Sequence, residues 1–203
     1  MNKTTTFVYR YDGNAYINLT NRCPNDCVFC LRRSRDGVGG EVLWLTREPL
    51  AEEVVGQLNE LITQQTDINA VVFCGFGEPT YKLCELIAVA EYAHSVGKYT
   101  RLNTNGLGSA IHGFDIVPKL IGVIDTVSIS LNESSPERYA AVCRPEFGLD
   151  AYGYILDFAQ KCVEAGIKTV LSVVDVIPPD EIEKCRQTAQ QIGAEFRLRK
   201  AIE

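Results

Sequence analysis

The chain has 203 residues, 46% of them hydrophobic and 23% charged, which is enough for one substantial core. A net charge of −6 argues against a nucleic-acid groove or an anionic membrane surface. No apolar run is long enough to span a bilayer, and eight cysteines without a secretion signal fit a reducing cytoplasm.

Met1 to Asp12 is mostly polar, with no apolar stretch of the kind found in signal peptides. Asn14 to Leu19 reads as a short strand leading into a cysteine loop. Asp36 to Gly40 is glycine-rich and reads as a mobile loop, followed by an extended piece from Glu41 to Leu45. Leu50, Val54, Leu58, Leu61 and Ile62 fall at helical spacing within Glu48 to Gln65. Asn69 to Cys74 reads as a buried strand, Tyr81 to Val96 as a helix closed by Gly97, and Tyr99 to Thr104 as a strand. Ala110 to Ile121 is loosely helical, with Pro118 breaking its interior.

Val123 to Leu131 is the next strand, and Ser134-Ser135-Pro136-Glu137 then starts a helix. Tyr152 to Ala165 is a helix ending at Gly166, and Lys168 to Val174 a strand. Pro178 to Ile192 is a helix stopped by Gly193, and Glu195 to Lys200 the last strand. Strands alternate with helices six times, which implies parallel strands joined by right-handed crossovers. Six units are fewer than the eight of a closed barrel, and the pattern equally allows an open doubly wound sheet. In both, a site forms at the carboxyl ends of the strands. No Pro/Ser-rich linker interrupts the chain, so residues 1–203 are expected to form a single domain.

Asn18 to Leu31 carries Cys23, Cys27 and Cys30 at the spacing C-x3-C-x2-C. Three thiolates on one tight loop can hold three corners of a [4Fe–4S] cube. A structural cluster usually takes four, so three leave one iron open to a ligand. A structural zinc site needs a fourth ligand, but the only histidines are His94 and His112 and there is no second C-x2-C pair. A disulfide framework is poorer still, because three cysteines this close cannot all pair locally. Three further stretches sit at strand ends: Cys74-Gly75-Phe76-Gly77-Glu78-Pro79, Asn103-Thr104-Asn105-Gly106 and Ser128-Ile129-Ser130-Leu131-Asn132. Glycines let backbone approach a ligand closely, Asn-Gly is also an ordinary turn, and Asn132 reads equally as a helix cap.

The cysteine loop resembles the signature of the radical S-adenosylmethionine (SAM) enzymes, C-x3-C with an aromatic before or near the third cysteine, here Phe29. The resemblance is strongest to the short radical SAM proteins associated with the TatD family. It implies a partial (β/α)6 TIM-like barrel, open on one side, holding a [4Fe–4S] cluster on Cys23, Cys27 and Cys30. SAM's amino and carboxylate groups would then chelate the open iron. Gly75, Phe76, Gly77, Glu78 and Pro79 resemble the family's G-G-E-P motif, with Phe76 in place of a glycine, and would bind the methionine ammonium. Asn103 and Thr104 stand where several members have an acid and threonine beside SAM. Ser130 and Asn132 match the place of ribose and carboxylate contacts. Arg144 matches an arginine that contacts SAM's carboxylate or the substrate, as an alternative to a surface ion pair. Val174 stands where adenine is packed, though such residues are usually core.

The family's reaction is reductive cleavage of SAM to methionine and a 5′-deoxyadenosyl radical, which abstracts a hydrogen atom from a small-molecule or peptide substrate. An external one-electron reductant, flavodoxin- or ferredoxin-like, would supply the electron, and a TatD-family protein is a possible partner. Two other short radical enzymes are alternatives: an activating enzyme for a partner protein, and a 7-carboxy-7-deazaguanine synthase. The latter's Asp-Thr after the last cluster cysteine is replaced here by Leu31-Arg32. A non-catalytic zinc or iron–sulfur binding module is the alternative of a different class. Arg32, Arg33 and Arg35 follow the cluster loop and suit an anionic substrate or the reductant. Arg197, Arg199 and Lys200 alternate on the last strand. Cys74, Cys84, Cys143, Cys162 and Cys185 are too scattered for a second cluster. His94 reads as a solvated helix residue, His112 as a loop residue and Trp44 as packing.

Overall fold

An Asp-Gly pair between two extended runs favours a two-residue hairpin. In the computed structural model, which describes residues 3–201, Val8–Tyr11 (β1) and Asn14–Ile17 (β2) pair antiparallel across Asp12-Gly13. Both turn residues have positive φ, 48° and 73°, as a type I′ turn requires. The sequence pattern puts the first strand at Asn14; β1 precedes it as an additional edge strand within the segment read as polar. Met1 and Asn2 of that segment, and Ile202 and Glu203, lie outside the described residues.

The chain divides into two compact units. The first comprises Met1–Cys23, Leu31–Asn103 and Gly122–Asp125. Gly37–Val38 (β3) and Glu41–Val42 (β4) form a small antiparallel hairpin where the sequence suggests a mobile loop. Ala51–Gln64 (α1), Ala70–Phe73 (β5), Leu83–Ser95 (α2) and Tyr99–Thr104 (β6) follow. β2, β5 and β6 are parallel neighbours. In register across them, Ala15, Val71 and Thr100 form one row and Ile17, Phe73 and Leu102 another. Both rows are fully buried, on the face packed by the helices. From α1 this packing buries Val54 and Leu58, each contributing about 2 kcal/mol. The row between them is Tyr16, Val72 and Arg101, on the opposite face because side chains alternate along a strand.

The second unit comprises Pro24–Cys30, Thr104–Ile121 and Thr126–Glu203. It contains Gly108–His112 (α3), Val117–Leu120 (α4), Thr126–Ser130 (β7), Pro136–Cys143 (α5), Asp150–Glu164 (α6), Lys168–Val174 (β8), Pro179–Ile192 (α7) and Glu195–Arg199 (β9). β7, β8 and β9 are parallel neighbours. The fold is thus mixed α/β with mostly parallel strands, and β1 is antiparallel to its neighbour. α6 buries Tyr152, Ile155, Phe158, Ala159 and Cys162 along one stripe. Burial pushes the thiols of Cys162 and Cys185 up to about 12; these two sulfurs are packing groups.

Two local expectations are corrected. Pro118 does not break a helix from Ala110 to Ile121; it sits in the first turn of α4, where its missing N–H costs nothing, and Gly113 in the left-handed region closes α3 before it. His94 is not simply solvated. Its Nε2 lies 3.0 Å from Asp125 Oδ2 and 3.1 Å from Thr100 Oγ1. The amide of Thr100 donates to the same carboxylate at 2.7 Å. Burial pushes the Asp125 carboxyl up, but the bonds from Thr100 and His94 outweigh it and hold it below its ordinary value.

A carboxyl lowered in the folded state adds stability above its unfolded value near ~4, and that stability is lost as pH falls through the folded value. Asp125→Asn is therefore expected to lower the melting temperature at pH 7 by roughly 2–6 °C, for one or two charge-assisted bonds. The gap to wild type should narrow steadily as melting curves are repeated toward pH 3. A gap independent of pH would contradict the assignment.

Candidate functional site

The cysteine loop leaves β2 at Asn18 and is tied down at both ends. In the first unit, Asn18 Nδ2 donates to Leu43 O at 2.7 Å, and Asn21 exchanges two bonds with the backbone of Leu45 at 2.9 and 3.0 Å. Thr20 Oγ1 donates to Glu48 at 2.5 Å, and Arg32 donates to Asn21 O at 3.1 Å. The guanidinium of Arg22 stacks over the Tyr81 ring, 4.2 Å from its centre. Cys23 follows directly.

In the second unit, Pro24–Cys30 lies along the end of α5. The amides of Asp26 and Val28 donate to Cys143 O at 3.0 Å and Val142 O at 2.9 Å. Glu146 N–H donates to Pro24 O at 2.8 Å, and Asn25 Nδ2 to Tyr139 Oη at 2.8 Å. These bonds bracket Cys27 against Cys143. A hydrogen bond with Cys27 draws the Cys143 thiol below its ordinary value; burial opposes this, and bonds with Asn132 and Tyr139 reinforce it. The sequence gives no signal for this fourth sulfur beside the loop, because Cys143 lies far along the chain from Cys27 and shares no spacing pattern with it; Asn25 and Tyr139 are 114 residues apart.

Cys23, Cys27 and Cys30 are in no disulfide and are partly exposed, whereas Cys143, Cys162 and Cys185 are buried. Among the described residues, no three His, Cys, Asp or Glu side chains converge as one metal ion requires. A cube asks for a different arrangement, one thiolate on each of three irons. Three reachable thiols on a loop fastened at both ends fit that donor set.

The loop after β5 packs on the cysteine loop through its glycines. A Cβ on Gly77 would overlap the carbonyl oxygens of Thr20 and Arg22, and one on Gly75 would overlap the Asn18 side chain. Glu78 N–H donates to Arg22 O at 2.7 Å. The Glu78 carboxylate is buried and accepts from Thr80 N at 3.2 Å and Thr80 Oγ1 at 2.8 Å, capping the 3-10 turn Pro79–Lys82. Phe76 is buried edge-on against Trp44, with ring centres 5.1 Å apart, in a cluster with Tyr9 and Leu43. Its extra side chain thus has an apolar place, and Trp44 packs as expected.

Asn103 is half-buried at the end of β6, and Thr104 is buried. Thr104 Oγ1 accepts from Gly106 N at 3.0 Å, and Asn105 Oδ1 from Leu107 N at 2.9 Å, so the Asn-Gly stretch is a side-chain-stabilised turn. Asn132 is not the helix cap: Ser135 caps α5 by accepting from Arg138 N. Asn132 instead holds a left-handed φ of 61° and is buried. Its Oδ1 and Ser130 Oγ both accept from Arg199 Nη2, at 3.4 and 3.3 Å. Arg199 thus faces the residues at the end of β7, as the alternation on the last strand suggests. Arg144 caps α5 in the left-handed region, and its mostly exposed side chain lies 3.8 Å from Asp26, the surface ion pair allowed above. Val174 ends β8 and is buried.

A cavity of about 320 Å³ opens in the second unit beside Val28 and Phe29, with Glu133 and Arg138 in its wall. Glu133 is almost wholly buried and takes Arg138 Nε at 2.9 Å. Sequence reasoning passed over Glu133, which looks like one more charge in a polar run. It also passed over Tyr16 and Arg101 on the face of the first sheet opposite the helices; an arginine inside a strand was the available signal.

A model of the radical SAM superfamily matches residues 17–192. The chain belongs to the radical SAM superfamily. No curated protein matches its sequence. Among solved structures, Streptococcus suis SuiB bound to the precursor peptide SuiA matches with a TM-score of 0.71 at 17% identity, covering 93% of this chain and 39% of SuiB. SuiB bound to S-adenosylmethionine gives 0.69 at 16%, with 93% and 40% covered. A radical SAM methyltransferase from Sphaerobacter thermophilus gives 0.63 at 14%, covering 95% and 68%. TsrM from Kitasatospora setae, solved with cobalamin and a [4Fe–4S] cluster, gives 0.57 at 16%, covering 90% and 36%. At these identities the likeness is one of fold. The chain spans about two fifths of the length of SuiB.

Gly77→Ala forces two backbone segments apart, so it should cost about 2 kcal/mol, roughly 4–8 °C in melting temperature. Iron bound per chain after anaerobic reconstitution should fall with it. Gly56→Ala, in α1 with open space around the new methyl, should instead stabilise by about 1 kcal/mol. Equal iron content in Gly77→Ala and wild type would show that the glycine does not position the cysteine loop.

Proposed function

We propose that this chain is a radical SAM enzyme in which Cys23, Cys27 and Cys30 hold a [4Fe–4S] cluster, leaving one iron for S-adenosylmethionine. The observation that carries this reading is the fastened loop with its three reachable thiols, whose start at Asn18–Arg22 is held by Gly75 and Gly77. When bound, the cluster and SAM together supply a 5′-deoxyadenosyl radical, the electron coming from a flavodoxin- or ferredoxin-like reductant.

The chain's own residues bind and orient. Gly75 and Gly77 keep the backbone of their loop free of side chains on the side of Asn18–Arg22. The backbone carbonyls of Gly75–Pro79 are assigned to accept from the SAM ammonium, and the Glu78 carboxylate, occupied by Thr80, holds the shape of that loop. Asn103 and Thr104 end β6, and Ser130 and Asn132 stand at and just past the end of β7. The carboxyl ends of parallel strands are where such folds place ligands, and these residues are assigned to the nucleoside. Arg199 holds the side chains of Ser130 and Asn132 in one orientation. Phe29 is assigned to shield the cluster loop, Val174 to the adenine and Arg144 to a carboxylate, for which it would leave its ion pair with Asp26.

We read residues 1–203 as one radical SAM domain, since the family match runs through both compact units. The six parallel-type strands support a partial (β/α)6 barrel. The substrate is a small molecule or peptide, and SuiB, solved with a precursor peptide, supports the second. Within the superfamily, we read the chain as resembling the short TatD-associated proteins.

Cys23→Ala, Cys27→Ala and Cys30→Ala are each expected to abolish SAM cleavage by the oxygen-free, reduced protein, a loss of at least about 100-fold in 5′-deoxyadenosine formed, since each removes a cluster ligand. Incubation in deuterated candidate substrates should carry the label into 5′-deoxyadenosine. Undiminished cleavage by any one of the three variants would remove the mechanism.

A further inference from the structure

The face of the first sheet opposite the helices carries a cation, Arg101, that has no counter-charge among the described residues. Tyr9, Tyr16, Val72 and Arg101 lie in register across β1, β2, β5 and β6. Arg101 reaches over Val72 and donates from Nη2 to Tyr16 Oη at 3.2 Å. Its Nε is buried and has no hydrogen-bond partner, and among the described residues it forms no ion pair. A guanidinium has five N–H donors in a rigid fork, and one of them is used here. Buried charges are normally paired, because removing them from water is costly. Elsewhere in this unit Arg10 pairs with Asp67 and Arg47 with Glu53, and Arg22 stacks on Tyr81.

The surroundings suit an organic anion. Tyr9, Tyr11 and Tyr16 form a wall, with ring centres 5.6 and 5.4 Å apart. Leu31, Val38, Leu43 and Trp44 pack against the same cluster from the segment that contains the β3–β4 hairpin. Burial raises the Tyr16 phenol, with Arg101 acting against it, so Tyr16 remains a neutral donor at neutral pH. Arg101 pairs with Val72, two residues before Cys74, where the Gly75–Pro79 loop begins. At about 3.3 Å per residue, it lies roughly 7 Å further into the sheet than that loop. This is away from the level assigned to the methionine end of SAM.

We propose that Arg101 and Tyr16 form a binding point for an oxyanion, so that the substrate of this enzyme carries a carboxylate or a phosphate. A planar fork and a phenol O–H together match such a group at more than one oxygen. The inference rests on the radical SAM reading only for the word substrate; the binding point itself stands on the unpaired fork.

The test uses the full chain without SAM. Melting curves and tyrosine fluorescence are followed while succinate and inorganic phosphate are titrated separately at constant ionic strength. One of the two is expected to give a saturable rise in melting temperature. Arg101→Gln should shift its midpoint upward by at least about tenfold, and Arg101→Lys by less, because the charge stays and the fork is lost. Arg197→Gln, on the exposed part of β9, should respond as wild type. No saturable response to either anion, or the same midpoint in Arg101→Gln, overturns the proposal. Reductive SAM cleavage without substrate is measured on the same samples: its absence in wild type would defeat the radical reading, whereas its loss is not expected from Arg101→Gln.

Discussion

The site depends on a backbone-to-backbone approach. The loop that follows β5 comes so close to Thr20 and Arg22 that Gly77 has no room for a methyl group, and the amide of Glu78 closes the contact on Arg22 O. Cys23 is the next residue along. The start of the cysteine loop is therefore set by an interaction that involves no cysteine. The first part of the cysteine loop is held to Leu43 and Leu45 through Asn18 and Asn21, and Pro24–Cys30 to Val142 and Cys143 through the amides of Val28 and Asp26. Rigid support of this kind limits the reorganisation that ligand binding would otherwise require.

Much of this was legible in the sequence. Spacing alone singled out Cys23, Cys27 and Cys30 as candidates, and strand–helix alternation gave six strands that the structure keeps, with β8 at Lys168–Val174 as read. Long, strongly periodic helices such as α6 and α7 were also clear, because their apolar stripes and glycine stops agree. What was missed follows a pattern. β1 is half polar, so its strand character shows only in the Asp-Gly turn beside it. His94 sits on an ordinary helix, and its partner Asp125 is 31 residues away. Asn132 follows a strand and precedes a helix, so its sequence position suited a cap. Ser135 takes that role because Pro136 needs the residue before it in an extended conformation.

The two faces of the first sheet are built from different residue types. Rows containing Ala15, Val71 and Thr100, or Ile17, Phe73 and Leu102, are dry and covered by helices. The intervening row exchanges aliphatic packing for tyrosines and an arginine, a choice that lowers stability where a ligand is absent. In the second unit Arg199 donates from Nη2 to both Ser130 and Asn132, while its Nε, like that of Arg101, is buried without a hydrogen-bond partner.

The central claim is that three cysteines leave one iron of a cube available to SAM. Electron paramagnetic resonance of the oxygen-free, chemically reduced chain, recorded before and after adding SAM, tests it directly. The account predicts a single [4Fe–4S]⁺ signal whose g-values shift when SAM binds. A chain that yields no such signal after reconstitution, or one whose spectrum SAM leaves unchanged, would contradict it.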